Sequence, residues 1–338
     1  MSRPGITLGR HIIEDEHLHR GATGELSRLL AQVGYAGKLL AREINRAALV
    51  GMLGLVGETN PTGDSQKKLD VYSNRVMEEA FAQTRLVAGM LSEEMEEVHA
   101  ISTGSSARYL LYTDPLDGSS NTDVNGAMGT IFSIMRRARD GKGDLAQEVL
   151  SGECTQEVAG YILYGTSTML VYTAGHGVNG FTLDREIGEF LLSHRDIRCP
   201  QRGRSYSANV GRYYEWPEAT RNFVDYVESE DTAGGRPYSL RYSGALVADL
   251  HRTLLEGGIY FYPPDRKHPQ GKLRLFYECL PLARVVEDAG GRAGTGRERI
   301  HDVKSASIHQ QVPFVIGSDE DVRRYEAFVA GTAAGESR

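Results

Sequence analysis

Tyr112-Thr113-Asp114-Pro115-Leu116-Asp117-Gly118-Ser119-Ser120-Asn121 directly follows an apolar, strand-like run that starts at Tyr109. Two carboxylates stand three residues apart at what reads as a turn. Pro115 fixes one φ angle and Gly118 permits close backbone approach. Ser119, Ser120 and Asn121 add hydroxyl, amide and backbone donors suited to an anion, so one segment can hold a cation and a phosphate together. The plain conformational alternative is a strand-ending turn, because Asp, Pro and Gly favour turns for reasons unrelated to chemistry.

Hard oxygen ligands of this kind suit magnesium or manganese, and the chain has no HExxH motif or Cys/His cluster that would favour zinc. Glu93 and Glu94, after the strand-like run Leu86–Leu91, can join the Asp114 and Asp117 carboxylates and the Leu116 carbonyl. Phosphate monoesters hydrolyse extremely slowly unaided, and divalent cations help by neutralising phosphoryl oxygens and acidifying water.

Around this stretch, Thr23 to Val50 carries apolar residues at helical spacing, giving one long helix or two broken near Gly34, with Thr23 as N-cap. Leu53 to Asp70, with its glycines and Pro61, reads as a loop, and Val71 to Thr84 as a helix. The runs at 129–136, 159–164 and 168–173 read as strands of a largely antiparallel sheet. Arg198 to Arg204 is the best linker, and helix and strand signals resume at 246–255, 258–262 and 273–287, predicting a second α/β unit.

The 338 residues suffice for two domains, and 38 basic against 45 acidic residues predict no general attraction to nucleic acid or anionic lipid. Three scattered cysteines fit a reducing compartment, and no apolar run approaches a membrane span, so a cytoplasmic protein is expected. Four weaker signals are set aside. Gly175-His176-Gly177-Val178-Asn179-Gly180 fits GxGxxG but lies between two strand-like runs, as a hairpin connection would. Gly290 to Gly296 fits a helix C-cap and loop, His17 and His19 lack ligand spacing, and Cys154 lacks the insertion a thiol switch would need.

Thr62-Gly63-Asp64, Lys67-Lys68-Leu69-Asp70-Val71, Ser92-Glu93-Glu94, Asp114 through Asn121, Gly129-Thr130-Ile131-Phe132 and Gly271 through Glu278 resemble, in order, the class I fructose-1,6-bisphosphatases, over about Thr23 to Ser318. The resemblance implies an α/β chain of stacked helix and sheet layers, α-β-α-β-α, assembled as a homotetramer. It implies an N-terminal domain over residues 1–198 with the AMP site and most metal ligands, and a sugar-phosphate-binding domain over 199–335.

It further implies hydrolysis of the 1-phosphate of D-fructose 1,6-bisphosphate by metal-activated water, a step of gluconeogenesis. Asp64, Glu93, Asp114, Leu116, Asp117 and Glu278 would hold two or three magnesium or manganese ions, and Asp70 and Glu94 would activate the water. Asp117, Gly118, Ser119 and Ser120 would meet the reacting phosphate. Asn209, Tyr242, Tyr262, Lys272 and Arg274 would meet the sugar and 6-phosphate, with Arg241 reaching a neighbouring subunit. AMP would bind Thr23, Gly24, Glu25, Leu26, Ser27, Arg108, Tyr109 and Arg136 as an allosteric inhibitor. Val210-Gly211-Arg212 departs from the relatives' usual acidic residue, glycine, and tyrosine or asparagine, leaving selectivity between fructose and sedoheptulose bisphosphates open.

Overall fold

The computed structural model describes residues 5–18, 23–61, 65–104, 107–138 and 143–332. Three helices open the chain: α1 (Leu8–Leu18), α2 (Glu25–Ile44) and, after the hairpin β1 (Leu55–Thr59) and β2 (Ser65–Lys67), α3 (Lys68–Ala82). The next strands are β3 (Val87–Ser92), β4 (His99–Ala100), β5 (Tyr109–Asp117) and β6 (Met128–Arg136). Helix α4 (Leu145–Ser151) precedes β7 (Thr155–Tyr164), β8 (Thr168–Thr173), β9 (Val178–Asp184) and β10 (Glu189–Ile197).

These form an eight-stranded sheet in the order β10-β9-β8-β7-β6-β5-β3-β4, antiparallel except where β3 runs parallel to β5. Both faces are covered, which is why Tyr109-Leu110-Leu111-Tyr112 shows no polar alternation. Tyr109 and Leu111 pack toward α1–α3, while Leu110 and Tyr112 pack the opposite way.

Past the irregular linker come β11 (Ser205–Ser207), α5 (Glu218–Glu228), β12 (Ser239–Leu240), α6 (Leu246–Glu256) and β13 (Ile259–Tyr262). The chain ends with β14 (Leu273–Arg274), α7 (Leu280–Asp288), β15 (Arg292–Gly294), β16 (Gln311–Val312), β17 (Phe314–Gly317) and α8 (Asp319–Val329). A five-stranded sheet, β12-β11-β13-β17-β15, results, with β14 and β16 paired separately.

Period-2 alternation settles how this sheet is clothed. Ile259, Phe261 and Val315 face α5 and α8, whereas Tyr260, Phe314 and Ile316 join α6, α7 and the larger sheet in one core. The layers are therefore helices, sheet, helices, sheet, helices, as expected. Helices α6 and α7 are shared by both sheets, so the two halves of the chain bury a common core.

Several local expectations are corrected. Thr23 is not the N-cap of α2; Gly24, at φ 73°, occupies that position with no side-chain cap. The helix runs unbroken through Gly34. The segment expected as a loop up to Asp70 holds the β1–β2 hairpin, and α3 starts at Lys68 because the Asp70 carboxylate accepts the Lys67 N–H at 2.7 Å. The Gly175–Gly180 segment does join two antiparallel strands, β8 and β9. Among the described residues no helix is long and apolar enough to cross a membrane.

Candidate active site

β5 continues through the Asp-Pro-Leu-Asp segment instead of ending before it, and its pairing with β6 slips there. Asp114 pairs with Ile131 and Asp117 with Gly129, three steps along β5 against two along β6. One extra residue in a strand reverses the inward and outward sense of the residues beyond it. Leu116 accordingly packs on the same side as Leu111, and Asp117 returns to the side of Asp114. Without the bulge, carboxylates three apart would point to opposite faces.

The start of α6 closes on this strand end. Asp117 accepts the Leu246 N–H at 3.2 Å and the Val247 N–H at 2.7 Å, two donors that the helix cannot satisfy internally. A Cβ at Gly129 would lie 2.6 Å from Val247 Cβ, and one at Gly118, whose φ is 74°, 2.6 Å from Ala245 Cβ. Glycine at both positions lets the helix approach. Gly118 then leads into a 3-10 turn, Ser119–Val124, whose first residues are Ser119 and Ser120.

Glu278 arrives from the other half of the chain, on a π-helical turn, Leu275–Cys279, between β14 and α7. Oxygens of Asp114, Asp117 and Glu278 all lie within 4.8 Å of one another, and all three residues are buried. Burial raises each carboxyl: Asp117 to about 6, Glu278 to about 7, and Asp114 well above the carboxylate range, with Glu93 the strongest neighbouring charge on Asp114. Such crowding of negative charge, all from hard oxygens, fits a divalent cation. Glu94 accepts a hydrogen bond from Gln66 on β2 at 2.6 Å, tying the hairpin to the site.

One cavity of about 630 Å3 is lined by Asp70, Glu93, Glu94, Asp114, Leu116, Asp117, Gly118, Ser119, Ser120 and Glu278, and also by Asn209, Tyr242, Tyr262, Lys272 and Arg274. Asp70 Oδ1 is buried without a hydrogen-bond partner among the described residues, and burial raises this carboxyl. Arg241 is exposed, bonds the Leu240 carbonyl at 2.8 Å and does not line the cavity. Asp64, with Thr62 and Gly63, lies outside the described residues. Sequence reasoning gave no role to Asn60 or Lys67, which also line the cavity, and left Arg212, a further lining residue, open between adding a phosphate contact and displacing one; the motif around Lys67 was the available signal.

The residues assigned to AMP gather elsewhere, at the start of α2 and the paired ends of β5 and β6. Tyr109 stands opposite Arg136, donates its hydroxyl to Glu25 at 3.1 Å and lies under the Arg136 guanidinium at 5.1 Å. Arg136 Nε donates to Glu157, and the Ser27 hydroxyl to Glu16. Gly24, Glu25 and Leu26 lie at the helix start, Thr23 is exposed just before it, and the Arg108 carbonyl accepts the Arg137 N–H at 2.9 Å.

Five alternating layers, with carboxylates from both halves meeting beside a glycine-serine turn, define a sugar-phosphatase fold. Comparison with known proteins narrows the class. The family model for the fructose-1-6-bisphosphatase N-terminal domain matches residues 6–195, and that for the C-terminal domain residues 199–330. The chain belongs to the fructose-1,6-bisphosphatase family. It is 54% identical to a class 1 fructose-1,6-bisphosphatase of Acaryochloris marina over 97% of this chain and 98% of that one. It is 50% identical to that of Chlorobium chlorochromatii over 96% and 98%. The holo form of the Leishmania major enzyme superposes with a TM-score of 0.90 at 38% identity, covering 97% of this chain and 100% of that one.

Proposed function

We propose that the chain hydrolyses the 1-phosphate of D-fructose 1,6-bisphosphate, giving fructose 6-phosphate and phosphate. The observation that carries this reading is the convergence of Asp114, Asp117 and Glu278 within 4.8 Å, beside the Gly118-Ser119-Ser120 turn. Magnesium or manganese, two or three ions held by these carboxylates with Glu93, the Leu116 carbonyl and Asp64, would neutralise phosphoryl oxygens and make the attacking water more acidic. Asp70 and Glu94 take the proton from that water, and burial raises the Asp70 carboxyl toward the range useful for a base. Water oxygen bonds to phosphorus in line with the breaking bond to the sugar O1, which leaves with its electron pair and is then protonated. Gly118, Ser119 and Ser120 donate to the transferring group. Asn209, Tyr242, Tyr262, Lys272 and Arg274 orient the sugar and its second phosphate, with Arg241 serving a neighbouring subunit's site.

The further readings rest on the resemblance. They are a cytoplasmic homotetramer, a division into residues 1–198 and 199–335, and inhibition by AMP at Thr23–Ser27, Arg108, Tyr109 and Arg136. For AMP, the supporting features are the uncapped helix start at Gly24 and the adjacent Arg136 guanidinium. The decisive assay is phosphate release from fructose 1,6-bisphosphate with magnesium, with and without AMP. Release abolished by Asp114→Asn supports the site, and a near-wild-type rate overturns it. Equal AMP inhibition of wild type and Arg136→Ala would remove the regulatory assignment.

A further inference from the structure

We propose that Arg212 is a specificity-determining residue of this cavity: its guanidinium presents a forked pair of donors to the second phosphate and thereby favours a bisphosphate over a monophosphate. The inference rests on the bisphosphatase reading above and adds to it a residue of this chain outside the assigned set.

Arg212 sits in a 3-10 turn, Val210–Glu215, whose first N–H donors are organised by Asn209: the Asn209 carbonyl accepts the Arg212 N–H at 3.0 Å. Side chains three apart eclipse in such a turn, and Arg212 Nη1 donates to Glu215 Oε2 at 3.0 Å. The same Nη1 reaches Asp265 Oδ2 at 3.3 Å. Both contacts fall on one nitrogen, so Nε and Nη2 are left without a protein partner among the described residues. Arg212 lines the cavity together with Asn209, Tyr242 and Tyr262.

Two carboxylates hold this guanidinium, both through Nη1. Asp265, with a side chain 1% exposed, accepts the Lys267 N–H at 2.8 Å and the His268 N–H at 2.7 Å on Oδ1, while Arg212 Nη1 and His268 Nδ1 each lie 3.3 Å from Oδ2. Glu215 has a side chain 36% exposed and is screened by solvent. Asp265 and Glu215 thus fix the guanidinium through a single nitrogen. Such a cation adds to Lys272 and Arg274, which line the same cavity and are assigned above to the sugar and its second phosphate. A bisphosphate brings two strongly anionic groups, and the buried carboxylates Asp114, Asp117 and Glu278 repel whichever phosphate is not shielded by cations. A fork of planar donors matches a phosphate better than a single ammonium does.

The test compares fructose 1,6-bisphosphate with fructose 1-phosphate, which lacks the second phosphate, in magnesium-loaded full-length wild type, Arg212→Gln, Arg212→Lys and Asp265→Asn. Arg212→Gln is expected to lower the ratio of kcat/KM for the bisphosphate over the monophosphate about ten- to a hundredfold, through KM, and to weaken product inhibition by fructose 6-phosphate in step. Arg212→Lys, keeping charge but losing the fork, falls between, and Asp265→Asn raises KM for the bisphosphate without lowering kcat. A ratio unchanged in Arg212→Gln, or both substrates falling together as a structural defect would cause, overturns the inference while leaving the bisphosphatase reading intact. A wild type that cleaves neither substrate overturns both.

Discussion

Asp114→Asn should change the sign of its effect on stability when magnesium is added. Asp114 is 2% exposed, and its carboxylate oxygen lies within 4.8 Å of those of Asp117 and Glu278. Two unit charges that far apart repel by roughly 3.5 kcal/mol at an effective dielectric constant of about 20. The metal-free chain lessens this cost by holding protons, with Asp117 raised to about 6 and Glu278 to about 7. The folded chain keeps those protons where the unfolded chain has released them, so the cluster loses stability as pH climbs from the ordinary carboxylate range through about 6 to 7. Asparagine stands in for the protonated Asp114 carboxyl, neutral without taking up a proton, and keeps the oxygen that accepts the Leu116 N–H at 3.0 Å. Near pH 8 without metal, the variant should therefore equal or exceed wild type by up to about 3 kcal/mol.

A cation at one hundred times its Kd stabilises wild type by about 2.7 kcal/mol, and the variant has lost a ligand for it. With about 2.1 cal/mol/K of unfolding entropy per residue over 338 residues, that is a shift of about 4 °C. Thermal melts in EDTA and in saturating magnesium should show the two proteins crossing. A wild-type Tm indifferent to magnesium, or a variant lower by the same amount in both buffers, refutes the reasoning.

Three further outcomes concern the scaffold. Burial, with a smaller push from His194, lowers the His251 imidazole from 6.5 to about 4, while its Nδ1 lies 2.8 Å from the Tyr161 hydroxyl. The unfolded chain protonates first, so this stabilisation is complete above about pH 6.5 and lost as pH falls to about 4; urea titrations across that window should show wild type losing about 3 kcal/mol more than His251→Gln. Arg137 and Glu148 form a bidentate pair with both side chains 5% exposed. Arg137→Met should cost about 3–5 kcal/mol by denaturant unfolding, and adding Glu148→Met should restore most of it. Gly160→Ala on β7 would bring a Cβ within 2.5 Å of both Phe132 Cζ and the Val171 carbonyl oxygen, and should cost more than about 3 kcal/mol in chemical denaturation.

The readable parts of the sequence were those where one physical requirement dominates. Doubly buried strands such as Tyr109–Tyr112 show as unbroken apolar runs, and α2 shows its packing stripe in Leu29, Leu30, Val33 and Leu40. The β1–β2 hairpin was missed because the apolar residues of β1 are exposed and impose no alternation: Leu55 is 58% exposed and Val56 43%. The start of α2 was misplaced by one residue because a glycine in the left-handed conformation took the position that a threonine hydroxyl fits by propensity.

At the site itself, local pattern and tertiary role diverge for one reason. Asp114 and Asp117 fall three apart in a strand, and Glu278 falls in a stretch whose apolar periodicity reads as ordinary helix; neither spacing, taken as regular structure, points its carboxylates at a common spot. The chain inserts a residue into β5, which brings Asp117 to the side of Asp114 and the start of α6, and opens the helix before α7 into a π turn that carries Glu278 to the same carboxylates. Periodicity reports only the regular part of a chain, so these carboxylates could be grouped from the order of the motifs but not from any window around them. The bulge and the π turn put the cost of irregular backbone where crowded carboxylates demand it, and a cation binding there would offset the repulsion that the backbone alone cannot remove.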